Sequence, residues 1–101
     1  MIRHIVMWKL KESAEGSSKI ENAKKIKSEL EALKSVIDEI EEIEVGINSS
    51  YAPDGNFDAV LSMTCSDFDA LKRYAAHPAH QEIVQFMKKI VESRSAVDFE
   101  V

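Results

Sequence analysis

Tyr74, His77 and His80 lie close together in this chain, and His4 stands far upstream of them; these are the side chains whose types suit proton transfer near neutral pH. An imidazole, with an ordinary pKa of about 6.5, accepts a proton in that range. A phenol donates a hydrogen bond to a carbonyl that is turning into an enolate. Together, His80 as base and Tyr74 as oxyanion donor are suited to removing a proton from the carbon beside a carbonyl. Pro78 separates them. A residue before proline is pushed out of helical dihedrals, while proline itself suits the first turn of a helix. The break therefore folds His80, at the start of one helix, toward Tyr74, at the end of the preceding one.

Each of these residues also has a purely structural use. His77 is in position to cap the helix that begins at Pro78. Tyr74 could pack with its hydroxyl at a rim. His4 sits on an apolar strand face, either as a hydrogen-bonded core histidine or as a pocket group, and Trp8 reads as core or pocket wall. The spacing of His77 and His80, with His4 as a possible third, invites a check for metal. Zinc wants three or four converging ligands, the trio has no cysteine partner, and Pro78 fixes the backbone between two of its members. No metal and no cofactor is expected.

The elements that must position these groups follow from periodicity. Ile2–Leu10 alternates, with Ile2, His4, Val6, Trp8 and Leu10 on one face and Arg3, Ile5, Met7 and Lys9 on the other, as a strand does. A polar loop with Gly16 covers Lys11–Ser17, and Ser18 with Glu21 then forms a capping box. Ile20, Ala23, Ile26, Leu30, Leu33 and Ile37 recur at helical spacing, and the helix is expected to reach about Lys34. Ile37, Ile40 and Ile43 fit a longer helix, whereas Ile43, Val45 and Ile47 fit a strand. The reading adopted is a turn near Val36–Glu39 and a strand from about Glu41 to Asn48. Pro53, Asp54, Gly55 and Asn56 mark a turn. A third strand follows over Phe57–Thr64, then a helix starting at Ser66–Asp69 and containing Leu71, Tyr74 and Ala75. A second helical piece runs from Pro78 to about Glu92, and a last strand alternates over Ala96–Val101.

This order, β-α-β-β-α-β, predicts a single α+β domain over residues 1–101 with a ferredoxin-like, four-stranded antiparallel sheet covered by helices on one face. Apolar residues on both faces of the first strand call for something against the other face. A twofold homodimer is the simplest arrangement that supplies it.

Bulk composition narrows the function. The chain has 101 residues, 45% apolar and 31% charged, which is a globular rather than a disordered composition. A formal charge of -5 with no basic stripe makes nucleic acid a poor partner. The single cysteine, Cys65, lies in an apolar stretch and reads as a small buried hydrophobe in a reducing compartment. No segment is apolar enough to span a membrane, and the charged opening does not resemble a signal peptide, so a cytoplasmic location is expected.

Several segments resemble the stress-responsive A/B barrel (Dabb) family: His4-Ile5-Val6-Met7-Trp8-Lys9, Gly46-Ile47-Asn48, Leu71 through His80 with its Tyr74…His77-Pro78-Ala79-His80 run, and Val97-Asp98-Phe99. The likeness covers nearly the whole chain in the same order. It implies a dimeric α+β barrel with a pocket between sheet and helices in each subunit. Some plant members are polyketide cyclases that work by aldol chemistry without cofactor or metal. In those, a tyrosine and a histidine matching Tyr74 and His80 carry the acid–base work, and a histidine matching His4 lies near the pocket. The cyclases have another histidine where this chain has Ala59, so their specificity does not transfer intact. The expectation is a homodimeric, stress-response-type domain whose pocket takes a small organic molecule, with Tyr74 and His80 as candidate catalytic residues and His4, Trp8 and His77 as candidate ligand contacts. The competing expectations are a cofactor-free cyclase-like or other acid/base enzyme and, more remotely, a monooxygenase of the same barrel class.

Overall fold

Alternation over Ile2–Leu10 produces strand β1, and every other element is arranged around it. The computed structural model describes residues 1–101. A short hairpin follows, β2 (Ser13–Ala14) and β3 (Ser17–Ser18), inside the stretch expected to be plain loop. Its two turn residues, Glu15 and Gly16, both have positive φ, 51° and 76°. That combination is what a two-residue hairpin turn requires.

Helix α1 (Lys19–Ala32) opens with the expected capping box. The Glu21 amide donates to the Ser18 hydroxyl at 3.3 Å, and the Ser18 amide donates to the Glu21 carboxylate at 3.0 Å. A 3-10 turn over Leu33–Ser35 then ends the helical run. Ala23, Ile26 and Leu30 are buried against the sheet, but Ile20, counted with them on spacing, is half exposed in the first turn.

The ambiguous acidic stretch resolves as strand β4 (Glu42–Ile47). Strand β5 (Ala59–Cys65) starts two residues later than expected, because Phe57 and Asp58 still belong to the turn. Helix α2 (Phe68–Ala76) is capped by Asp67, whose carboxylate accepts from the Ala70 amide at 2.8 Å. His77 is extended, with φ -63° and ψ 133°, and helix α3 (Pro78–Ile90) begins at once. Strand β6 (Val91–Glu100) follows α3 with no linker. It was expected to start at Ala96, with the helix reaching Glu92. The helix instead stops at Ile90, and the polar Glu92–Ser95 segment is strand because its backbone pairs with Trp8 and Lys9 of β1.

The sheet order is β4-β5-β1-β6, antiparallel throughout, as the ferredoxin-like reading requires. All three helices' buried residues meet one face, formed by Ile2, Val6, Trp8, Leu10, Val45, Ala59, Leu61, Met63 and Cys65. Cys65 is fully buried, and that burial pushes its thiol pKa up, as suits an inert packing group. The free edge of β4 is covered by α1. The Val45 amide donates to Glu31 at 3.0 Å, its carbonyl accepts from Lys27 at 2.5 Å, and the two side chains pair at 2.9 Å. The opposite face of the sheet has no helix. There Met7, Val97 and Phe99 remain 40%, 56% and 40% exposed.

Candidate functional site

Register puts His4 of β1 beside Met63 on one side and Asp98 of β6 on the other. Both His4 and Asp98 therefore face the helices. The His4 ring donates from Nδ1 to the Asp98 carboxylate at 2.5 Å, which fixes the ring's orientation and leaves Nε2 as its other nitrogen. Tyr74, near the end of α2, presents its ring to His4 edge-on, with centroids 6.2 Å apart. On its other side His80, in the first turn of α3, tilts against Tyr74 with centroids 4.4 Å apart. The Pro78 break thus brings Tyr74 and His80 together, with His4 and Asp98 behind them.

The electrostatics of this group differ from residue to residue. Tyr74 is 1% exposed, and its hydroxyl is the one buried side-chain oxygen or nitrogen in the protein with no hydrogen-bond partner. Desolvation raises its pKa far above the ordinary phenol value, so it stays protonated and able to donate. His80 is held below its ordinary pKa, first by burial and then by the charge of Arg94 and of His4 when protonated, against a carbonyl contact that raises it. That carbonyl belongs to Ala75, 3.1 Å from His80 Nδ1. A carbonyl can only accept, so the proton sits on Nδ1 and Nε2 keeps its lone pair. With its pKa held below the ordinary value, His80 at neutral pH is mainly the neutral imidazole, and Nε2 is its basic nitrogen.

These side chains line a cavity of about 620 Å³ between sheet and helices. Val6, Trp8 and Leu61 form its floor, and Leu71, Val84 and Met87 form its helical wall. Trp8, 6% exposed, is both core and cavity wall. His77 is elsewhere: its Nδ1 accepts from the Ala79 amide at 3.1 Å, capping α3, and it does not line the cavity. Ala59 is packed beside Trp8 in the sheet, also off the cavity wall. No cluster of three or more histidine, cysteine, aspartate or glutamate side chains could hold a metal.

Sequence reasoning missed Asp98 and Arg94, both of which line the cavity. The signal was present as parity. Val97 and Phe99 alternate toward one face, so Asp98 must point to the other, but which face carries the cavity depends on register with β1.

Comparison with known proteins agrees with this architecture. The family described as the stress responsive A/B barrel domain matches residues 2–101. An uncharacterised protein of Streptomyces coelicolor is 33% identical over 84 residues, covering 80% of this chain and 80% of that protein. A dimeric protein of unknown function with a ferredoxin-like fold, from Bacteroides fragilis, superposes with a TM-score of 0.88 at 32% identity, covering 99% of this chain and 95% of that one. The hydroxynitrile lyase of Passiflora edulis superposes with a TM-score of 0.79 at 16% identity, covering 99% of this chain and 92% of that one, a likeness of fold alone.

Proposed function

The chain belongs to the stress-responsive A/B barrel family, and from that premise we propose that it acts as a homodimer whose sheet–helix cavity binds a small, mainly apolar organic molecule. The observation that carries this reading is the unpartnered Tyr74 hydroxyl among the cavity-lining residues. A buried hydroxyl without a partner is destabilising unless something supplies the missing acceptor. A ligand carbonyl or hydroxyl would do so. A volume of about 620 Å³ falls in the range of small-molecule pockets, and mostly apolar walls with a few convergent polar groups are what such pockets present. Native mass spectrometry of the gently purified protein is the direct test. A dimer with a retained small molecule is the expected result; a monomer that retains nothing would sink the reading.

A second reading is favoured by the tautomer of His80. With Nδ1–H given to the Ala75 carbonyl, Nε2 is available as a base. In a bound carbonyl compound, Nε2 would take the proton from the α carbon, and the C–H electrons would pass to the carbonyl oxygen. Tyr74 would donate its hydrogen bond to that oxygen as charge develops. The depressed pKa of His80 means that the imidazolium gives its proton up again readily. This is acid/base chemistry run on protein groups alone, related in kind to the cyclases but without their histidine at position 59. If His80→Ala and Tyr74→Phe each leave ligand affinity and turnover of carbonyl substrates unaltered, this second reading is wrong.

A further inference from the structure

The cavity has a second polar end, formed by Arg94 at the start of β6 and Lys88 near the end of α3. α3 passes straight into β6, so Lys88 and Arg94 lie close to that junction along the chain, whereas His80 and Asp98 lie farther from it. Eight helical residues separate His80 from Lys88, roughly 12 Å along α3. Four strand residues separate Asp98 from Arg94, roughly 13 Å along β6. All four side chains line the same cavity, together with the apolar Val84, Met87 and Trp8.

Neither cation has a partner within the chain. Six ion pairs join side chains within 4.0 Å, and neither Arg94 nor Lys88 takes part in any of them. They stand unpaired in a molecule with 18 acidic residues against 13 basic ones. Asp98, four residues along β6 from Arg94 and a lining residue of the same cavity, is taken by His4. Arg94 nonetheless acts within the site, since its charge joins burial in lowering the proton affinity of His80.

Resting on the ligand-binding reading above, we infer that the molecule this cavity accepts is an elongated organic anion: an apolar chain whose carboxylate is held by Arg94 and Lys88 and whose far end reaches Tyr74 and His80. Arginine suits a carboxylate because its planar donors meet both oxygens at once, and lysine adds a point charge. A neutral chain of the same length would fill the apolar wall equally well but leave both cations unmatched.

Trp8 is the protein's single tryptophan and lines the cavity, so its fluorescence reports occupancy directly. Decanoic acid and decanol, matched in chain length, are titrated against the full-length protein at neutral pH. Decanoate is expected to bind about tenfold more tightly, the scale of one charge-assisted hydrogen bond. The double variant Arg94→Gln/Lys88→Gln should lose that preference while keeping its decanol affinity. Lys72→Gln, an exposed residue of α2 away from the cavity, should retain the preference. Equal affinity for acid and alcohol, or an acid preference that survives in the double variant, overturns the anion assignment and leaves the pocket reading standing. Binding of neither probe overturns both.

Discussion

At the scale of single residues, the site is built on one destabilising group and one conditional group. Tyr74 carries a buried hydroxyl with nothing to bond. Replacing it with phenylalanine should raise stability by about 1 kcal/mol, because the unmet desolvation penalty disappears, while ligand affinity falls. Urea unfolding and ligand titration of Tyr74→Phe check both halves, and a loss of stability would mean that the hydroxyl has a partner. His80 supplies the pH dependence. Its folded pKa lies below the ordinary 6.5, with burial the leading cause. Above pH 6.5 the histidine is neutral in both states and makes no difference to stability. Below it the unfolded chain binds the proton first, so stability is lost until the pH has fallen through the folded pKa. Thermal melts of His80→Gln should therefore decline less steeply below pH 6.5 than those of the wild type. Identical slopes would place His80 in water. Tyr74, His4 and His80 were legible in the sequence because their types are scarce and Pro78 marks the bend between two of them. Asp98 was not. An aspartate between two apolar residues in a strand looks like the solvated side until pairing shows that its side is the one with the cavity.

At the scale of elements, the strength of the apolar pattern decided what could be foreseen. β1, α1 and α3 bury one face each, so their periods are plain in the sequence. β6 buries almost nothing: Glu92 through Glu100 are all exposed, and no apolar alternation marks where it begins. Its N-terminal half is a strand only because β1 pairs with it, a long-range condition invisible to local pattern. β4 was ambiguous for the opposite reason, since isoleucines at both helical and strand spacing run through it. Its outcome rests partly on α1, where Lys27 and Glu31 occupy both polar groups of Val45 on the strand's outer edge. Both side chains are more than a third exposed, so the clamp is worth modest energy. Glu31→Ala is expected to cost about 1 kcal/mol in urea unfolding. It should also increase scattering at high concentration, because an uncovered edge is a template for another strand. A variant as soluble as the wild type would show that the edge needs no cover.

At the scale of the whole molecule, the unhelixed face of the sheet is where the proposed homodimer would form. Ile5 and Met7 of β1 stand beside Val97 and Ser95 of β6, with Phe99 beyond. This is the face on which the sequence anticipated a partner, and the Bacteroides fragilis relative is dimeric. A lysine in its centre would be buried without a counter-charge. Val97→Lys is expected to weaken self-association roughly a hundredfold. Light scattering coupled to size exclusion should then show monomer where the wild type shows dimer, and a variant that still dimerises would place the interface elsewhere. The same strand carries the two faces at once: Arg94 and Asp98 look into the cavity, Val97 and Phe99 look away from it. No linker separates β6 from α3, so the helix lining the proposed ligand cavity is joined directly to the strand that carries the proposed dimer face. If binding moves that helix, occupancy and association in the proposed homodimer would be one linked equilibrium. Linkage is reciprocal, so whatever factor a ligand contributes to the dimer, the dimer returns to the ligand. A cell could read the concentration of the small molecule as a change in subunit number, with no further part required.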